Sequence, residues 1–195
     1  MPPMSNVPAA ALTADKLVIL DRDGVINHDS DAYIKSLEEW VPYSTAISAI
    51  ARLTHSGYTV AIATNQSGIS RGYYDEATLN AMHERLITLV EAQGGRIAHI
   101  AYCPHGPDDD CHCRKPLPGL LLEIQRQLNM ATLVGSWMVG DSLRDLQAGE
   151  AVGCNTVLVR TGKGSKTETN GIGLEKTRIF NDLAHFTNWL CNTSS

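Results

Sequence analysis

No run of the 195 residues stays apolar for the ~20 positions that a helix needs to cross a bilayer, so the sequence predicts no membrane span. The amino terminus, MPPMSNVPAAALTADK, lacks a basic leader region and has only a short Ala-rich apolar run, which makes a poor secretory signal. No internal repeat is present, and repeat architectures are excluded with it. Positive charge is in short supply: 16 Lys and Arg face 21 Asp and Glu, for a net charge of -5. No general field then draws in a polyanion such as nucleic acid, and an anionic substrate needs a local cluster of cations or a metal. Cysteine is too sparse for a disulfide framework, and three of the five fall between Cys103 and Cys113 beside histidine, which suits metal ligands in a reducing compartment. Cys154 and Cys191 stand apart and read as small packing residues. The expectation is a cytoplasmic monomer.

What is present is a globular balance of 43% hydrophobic and 19% charged residues, enough for one core. Residues 1–15 read as a flexible tail and 16–195 as a single domain. Lys16 to Asp21 (KLVILD) is a short run of branched apolar residues, the mark of a strand buried on both faces. Similar runs recur at Thr59 to Asn65, Ile97 to Cys103, Ser136 to Asp141 and Thr156 to Thr161. Between them lie helical stripes. Ala46, Ile47, Ile50, Ala51 and Leu53 precede a stop at Gly57. Leu79, Met82, Leu86, Leu89 and Val90 follow Asp75 as N-cap, and Leu117, Leu120, Leu121, Ile124 and Leu128 form a third stripe. Strands alternating with amphipathic helices predict an α/β fold, a parallel sheet with helices on both faces. Lys163 to Thr177 reads as a surface loop before a last helix near Leu183 to Leu190.

In such a sheet, ligands bind beyond the carboxyl ends of the strands, and the polar residues gather there. In Asp21-Arg22-Asp23-Gly24, Asp21 can attack phosphorus, and Asp23 can protonate a leaving alcohol and later deprotonate water. Carboxylates so close call for a divalent cation, and oxygen ligands suit Mg²⁺. Asp141 would complete that site from another strand, with Asp145 behind it. By itself Asp-x-Asp-Gly also fits a plain turn. Thr64 to Gly68 (TNQSG) offers hydroxyls, amides and N–H groups to a phosphoryl group, and Arg71 adds a cation at the rim.

The stretch CPHGPDDDCHCRKP, Cys103 to Pro116, carries a C-x-H and a C-x-C pair. In extended chain residues i and i+2 point the same way, so Cys103 with His105 and Cys111 with Cys113 act as two pincers, and His112 points away. Three thiolates and one imidazole form a closed tetrahedral set for structural Zn²⁺. A metal would order this polar loop so that Lys115 reaches a phosphoryl group and Arg114 grips another part of the substrate.

DRDGVIN, TNQSG, RKP and GDSLRD, in this order over Leu17 to Thr161, resemble the four motifs of the haloacid dehalogenase superfamily of phosphohydrolases. The resemblance implies a Rossmann-like sheet, Asp21 as nucleophile, Asp23 as acid and base, Thr64 and Lys115 as phosphoryl contacts, and Mg²⁺ held by Asp21, Asp141 and the backbone carbonyl of Asp23. Neither gap used for large cap domains has room here, so the site is expected to be open, with the zinc loop as a partial lid. The zinc loop is similar to that of two sister groups, the heptose bisphosphate phosphatases and the histidinol-phosphate phosphatases. TNQSGISRGYY resembles the heptose group, as does DSDAYI, Asp29 to Ile34. That resemblance implies removal of a sugar 7-phosphate on the way to lipopolysaccharide. It puts Asp21, Arg22, Asp23, Asp29, Tyr33, Thr64, Asn65, Gln66, Ser67, Arg71, Arg114 and Lys115 in contact with substrate. Alternatives are a histidinol-phosphate phosphatase or a zinc-stabilised binding module.

Overall fold

A computed structural model describes residues 11–193. Six parallel strands form one sheet in the order β3-β2-β1-β4-β5-β6: β1 Leu17–Leu20, β2 Thr59–Asn65, β3 His99–Cys103, β4 Trp137–Gly140, β5 Asn155–Val159 and β6 Arg178–Phe180. The helices are α1 Ser44–His55, α2 Glu76–Ala92, α3 Gly119–Gln127, α4 Leu143–Glu150, α5 Gly164–Asn170 and α6 Leu183–Thr193. The expected α/β architecture is present.

Side chains alternate across the sheet as strand geometry requires. Val18 and Leu20, with Val60 and Ile62, point into a core closed by α1, α2 and α6. Leu17 and Ile19, with Ala61 and Ala63, point into a second core closed by α3 and Ala148 of α4. Burying one such aliphatic side chain stabilises by about 2 kcal/mol. Ala61, Ala63 and Ala101 are small, which lets α3 lie close over β2 and β3 and brings in the loop that precedes it.

The three predicted helical stripes face the cores, with Leu89 and Leu128 only half-buried, and the Asp75 carboxylate caps α2 by accepting the Thr78 N–H at 2.8 Å. Leu117 is an exception: it lies before α3 and is exposed. Two elements correct the sequence reading. β6 was not expected, being three residues opened by an arginine. Lys163 to Thr177 is not all loop, because α5 forms within it without an apolar face. Its Thr167 hydroxyl donates to the Asp141 carbonyl at 2.8 Å, and Gly164 packs against the Val159 carbonyl too tightly for any side chain. The tail expected over 1–15 lies outside the described residues as far as residue 10. Beyond it, Leu12 and Ala14 rest against the second core.

Candidate active site

Parallel register delivers the polar residues to one end of the sheet. Leu20 pairs with Val139 and the Asp21 N–H bonds the Val139 carbonyl at 2.9 Å, so β1 and β4 release Asp21 and Asp141 side by side. Asn65 pairs with Cys103, which sets the TNQSG turn against the start of the Cys/His loop. Between these ends lies a cavity of about 280 Å³, lined by Asp21, Asp23, Asn65, Gln66, Ser67, Lys115 and Asp141, with Asp29, Tyr33, Tyr74, Arg114, Arg144 and Lys163 higher up.

Lys115 is the hub of the floor. Its ammonium donates to Asp21 Oδ1 at 2.9 Å, Asp145 Oδ1 at 2.7 Å and the Ala63 carbonyl at 2.6 Å, all out of water. Burial by itself would lower the Lys115 pKa, but the two carboxylates outweigh it and hold the group charged. Asn65 locks the Lys115 backbone from both sides, Nδ2 donating to its carbonyl at 3.1 Å and Oδ1 accepting its N–H at 3.0 Å. The Asn65 amide is therefore engaged with the loop rather than turned to the cavity.

Negative charge exceeds positive on this floor. Oxygens of Asp21, Asp141 and Asp145 lie within 4.8 Å of one another. Burial, with the repulsion of Asp145, pushes Asp21 well above the usual carboxylate range and Asp141 to about 7. Asp145 is occupied on both oxygens, by Lys115 and by the N–H and hydroxyl of Ser142 at 3.2 and 3.0 Å. Asp141 Oδ2 accepts the Lys163 N–H at 2.9 Å, and Gly24, at φ 85°, passes so close that a Cβ there would collide with that oxygen. One oxygen each of Asp21 and Asp141 is left over.

The other expected residues divide into two groups. Asp23 stands outside the carboxylate cluster and is held by Arg22, Asn27 and Gln66. Burial pushes its carboxyl up, but the Arg22 guanidinium and these donors outweigh that and hold it below the usual range. Arg22 itself is fully buried, with Nη1 near His83 Nε2 at 3.3 Å, so its side chain faces the core and not the cavity. Thr64 is buried as well, its Oγ1 accepting from Gln66 Nε2 at 2.8 Å. Asp29 and Tyr33 line the upper cavity, and Asp29 lies 3.6 Å from the Lys163 ammonium. Arg71 is exposed and stacks over the Tyr33 ring at 5.7 Å, behind the cavity wall. Sequence reasoning missed Tyr74, Asn27, His83, Arg144 and Lys163. Asn27, Tyr74 and Arg144 lie within the quoted motifs DRDGVIN, TNQSGISRGYY and GDSLRD but carry no role legible from spacing, whereas His83 and Lys163 belong to no motif and reach the site through the fold.

Cys103, His105, Cys111 and Cys113 converge, their ligand atoms all within 4.8 Å of one another, and His112 is outside the group and exposed. Cys103 Sγ lies 3.5 Å from His105 Nδ1 and 3.7 Å from Cys111 Sγ. Burial drives the Cys103 thiol well above its ordinary pKa. Three sulfurs and one imidazole nitrogen converging in this way fit a structural Zn²⁺, which would take the place of the thiol protons.

The chain is 61% identical over 169 residues to the D-glycero-beta-D-manno-heptose-1,7-bisphosphate 7-phosphatase of Pseudomonas putida, covering 87% of this chain and 95% of that protein. It belongs to that heptose bisphosphate phosphatase family. The Bordetella bronchiseptica member is 53% identical over 87% of this chain and 94% of its own length. A crystal structure of D,D-heptose 1.7-bisphosphate phosphatase from B. bronchiseptica, complexed with magnesium and phosphate, superposes with a TM-score of 0.88 at 50% identity, covering 91% of this chain and 99% of that one. The family model described as "HAD-hyrolase-like" matches residues 112–186. This chain is thus a phosphatase of the family, and its floor fits the metal. The donors are hard oxygens, the carboxylates outnumber the one ammonium, and Asp21 and Asp141 each keep an oxygen unengaged. No helix among the described residues is long and apolar enough to cross a membrane.

Proposed function

We propose that the chain removes the 7-phosphate of D-glycero-β-D-manno-heptose 1,7-bisphosphate through an aspartyl phosphate, in the cytoplasm and as a single-domain monomer, on the way to lipopolysaccharide heptose. The observation that carries this reading is the pairing of Asp21 with Lys115 at the floor of a cavity that Asp23 also lines. Lys115 holds the Asp21 carboxylate in place, and one of its oxygens attacks the 7-phosphorus while the bond to the C7 oxygen breaks. Against the effect of burial, Arg22 and the other donors hold Asp23 below the usual carboxylate range in the free protein, so Asp23 must enter the substrate complex protonated, and it gives that proton to the leaving oxygen. Water then attacks the phosphorus of the aspartyl phosphate, its proton passes to Asp23, and phosphate departs with Asp21 restored.

Bound Mg²⁺, held by Asp21, Asp141 and the backbone carbonyl of Asp23, supplies charge neutralisation on the phosphoryl oxygens. Lys115 contacts the same oxygens, whereas Thr64, buried behind Gln66, acts on the site through that amide. Asp29, Tyr33, Ser67 and Arg114 contact the sugar and its far phosphate, whereas Arg71 acts from behind by bracing Tyr33.

Phosphate release from both anomers of heptose 1,7-bisphosphate and from histidinol phosphate, compared as kcat/KM, tests the assignment. A heptose preference of about a hundredfold, roughly 2.7 kcal/mol in transition-state binding, is expected, with activity lost in EDTA and restored by Mg²⁺. Preference for histidinol phosphate would replace the substrate and keep the site. Asp21→Asn is expected to abolish turnover in a folded protein, and substantial remaining turnover would remove the covalent scheme.

A further inference from the structure

The donors around Asp23 are not shared evenly between its two oxygens. Oδ1 accepts from Arg22 Nε at 2.9 Å, Arg22 Nη2 at 2.8 Å and Asn27 Nδ2 at 2.9 Å. Oδ2 accepts only Gln66 Nε2, at 3.1 Å. A carboxylate oxygen has about two lone pairs, so Oδ1 is filled and Oδ2 is the oxygen with room for a proton. Among the described residues, the single group that aims Oδ2 is the Gln66 amide.

That amide is held at both ends. Its Nε2 also donates to Thr64 Oγ1 at 2.8 Å, and its Oε1 accepts from the Tyr74 hydroxyl at 2.6 Å and faces Arg22 Nη2 at 3.5 Å. Burial raises the Tyr74 phenol to about 12, so the hydroxyl stays a donor at neutral pH. Two donors on one side and a carboxylate on the other are satisfied by one orientation of the amide and not by its flipped form. The Tyr74 ring is in turn seated on Gly68, where any Cβ would collide with it.

We propose that Tyr74 is a positioning residue: its hydroxyl fixes the Gln66 amide, and through Gln66 it aims Asp23 Oδ2, the oxygen that carries the proton to and from the C7 oxygen. The proposal rests on the reading of Asp23 as acid and base. Without the Tyr74 hydroxyl, Gln66 loses the shorter of its two acceptor-side bonds, and Asp23 Oδ2 is aimed less well. The cost then falls on substrates whose leaving oxygen needs a proton.

Tyr74→Phe keeps the ring and removes the hydroxyl. The measurement is kcat/KM, which reads through the first irreversible step, on heptose 1,7-bisphosphate, whose alkoxide needs a proton, and on p-nitrophenyl phosphate, whose nitrophenolate does not. Tyr74→Phe is expected to lose more on the heptose substrate, shifting the ratio of the two values by about 3–10-fold, the range of one neutral hydrogen bond. A purely structural role would lower both values equally. Asp23→Asn, run beside it, is expected to shift the same ratio far more. An unchanged ratio in Tyr74→Phe beside a large shift in Asp23→Asn overturns the role of Tyr74 and leaves Asp23 as acid. An unchanged ratio in Asp23→Asn overturns both.

Discussion

At the floor of the cavity the Lys115 side chain is 2% exposed and reaches three acceptors within 2.9 Å, while at the rim the Arg114 guanidinium has one, the His105 carbonyl at 3.3 Å. Burial and the nearby Arg144 guanidinium both lower the Arg114 pKa, and no carboxylate pairs with either arginine among the described residues. Asp29 and Lys163 make a loose 3.6 Å contact, against the 2.7 Å pair of Lys115 and Asp145. The floor holds its one cation in fixed pairs and leaves a surplus of carboxylate for a metal, so its arrangement is set before substrate arrives. The rim leaves cations unneutralised for an anionic ligand to meet. On the proposed function, chemistry falls to the first region and selection to the second, and substitutions are expected to separate along that line.

The largest effect is expected at Lys115. Lys115→Ala leaves Asp21 and Asp145 buried without their cation, a situation that costs roughly 3–5 kcal/mol. Urea unfolding at pH 7 should show that loss together with loss of turnover; a stable, active variant would mean the floor does not depend on internal pairing.

Next comes Cys111→Ser, which should abolish stoichiometric zinc and lower Tm by roughly 5–10 °C, on a scale of about 2–4 °C per kcal/mol. Because Asn65 holds the Lys115 backbone independently of the loop, the variant should lose affinity for heptose bisphosphate while keeping much of its kcat on p-nitrophenyl phosphate. Equal losses on both substrates would erase the distinction between floor and rim.

Arg114→Ala should raise KM for heptose bisphosphate about tenfold, near the lower end for a charged hydrogen bond, with kcat and Tm little changed. Steady-state kinetics decide it: a fall in kcat alone would move Arg114 to the floor.

The smallest effect lies beneath the floor. Burial and the neighbouring Arg22 lower the His83 pKa from 6.5 to about 3, so the folded state binds fewer protons than the unfolded chain in that interval. His83 therefore withholds nothing from stability above pH 6.5 and subtracts progressively as pH falls toward 3, by at most about 1.4 kcal/mol per pH unit. His83→Gln should flatten the pH dependence of the urea midpoint between pH 6.5 and 5; an unchanged slope would place the titrating group elsewhere.

The floor was more legible in the sequence than the rim, for a physical reason. KLVILD and SWMVGD change abruptly from apolar to acidic, and a strand buried on both faces tolerates that change only at its end. The four metal-loop ligands were legible because i, i+2 spacing in extended chain is a purely local geometry, and the structure brings all four together. Side-chain partners set by rotamers across the fold were not legible. Arg22 reads as a substrate contact beside Asp23, yet its guanidinium turns inward to His83, 61 residues away. Gln66 and Asn65 sit in one motif but face Asp23 and the Lys115 backbone respectively. α5 escaped notice because GSKTETN has no apolar stripe and is fixed by its contacts with Asp141 and Val159 instead.

The alternation along β1 has a consequence for how this molecule can change over generations. Four residues feed two cores in strict turn, and Asp21 is the next position after them. Adding or deleting one residue there would exchange the two cores' side chains and carry Asp21 out of the cavity floor in the same step. Residues 29–40, and 106–110 between the two ligand pairs, have no such frame to keep. Length variation should therefore collect in those loops, where it retunes what is admitted, while the spacing between the first strand and its aspartate stays unaltered.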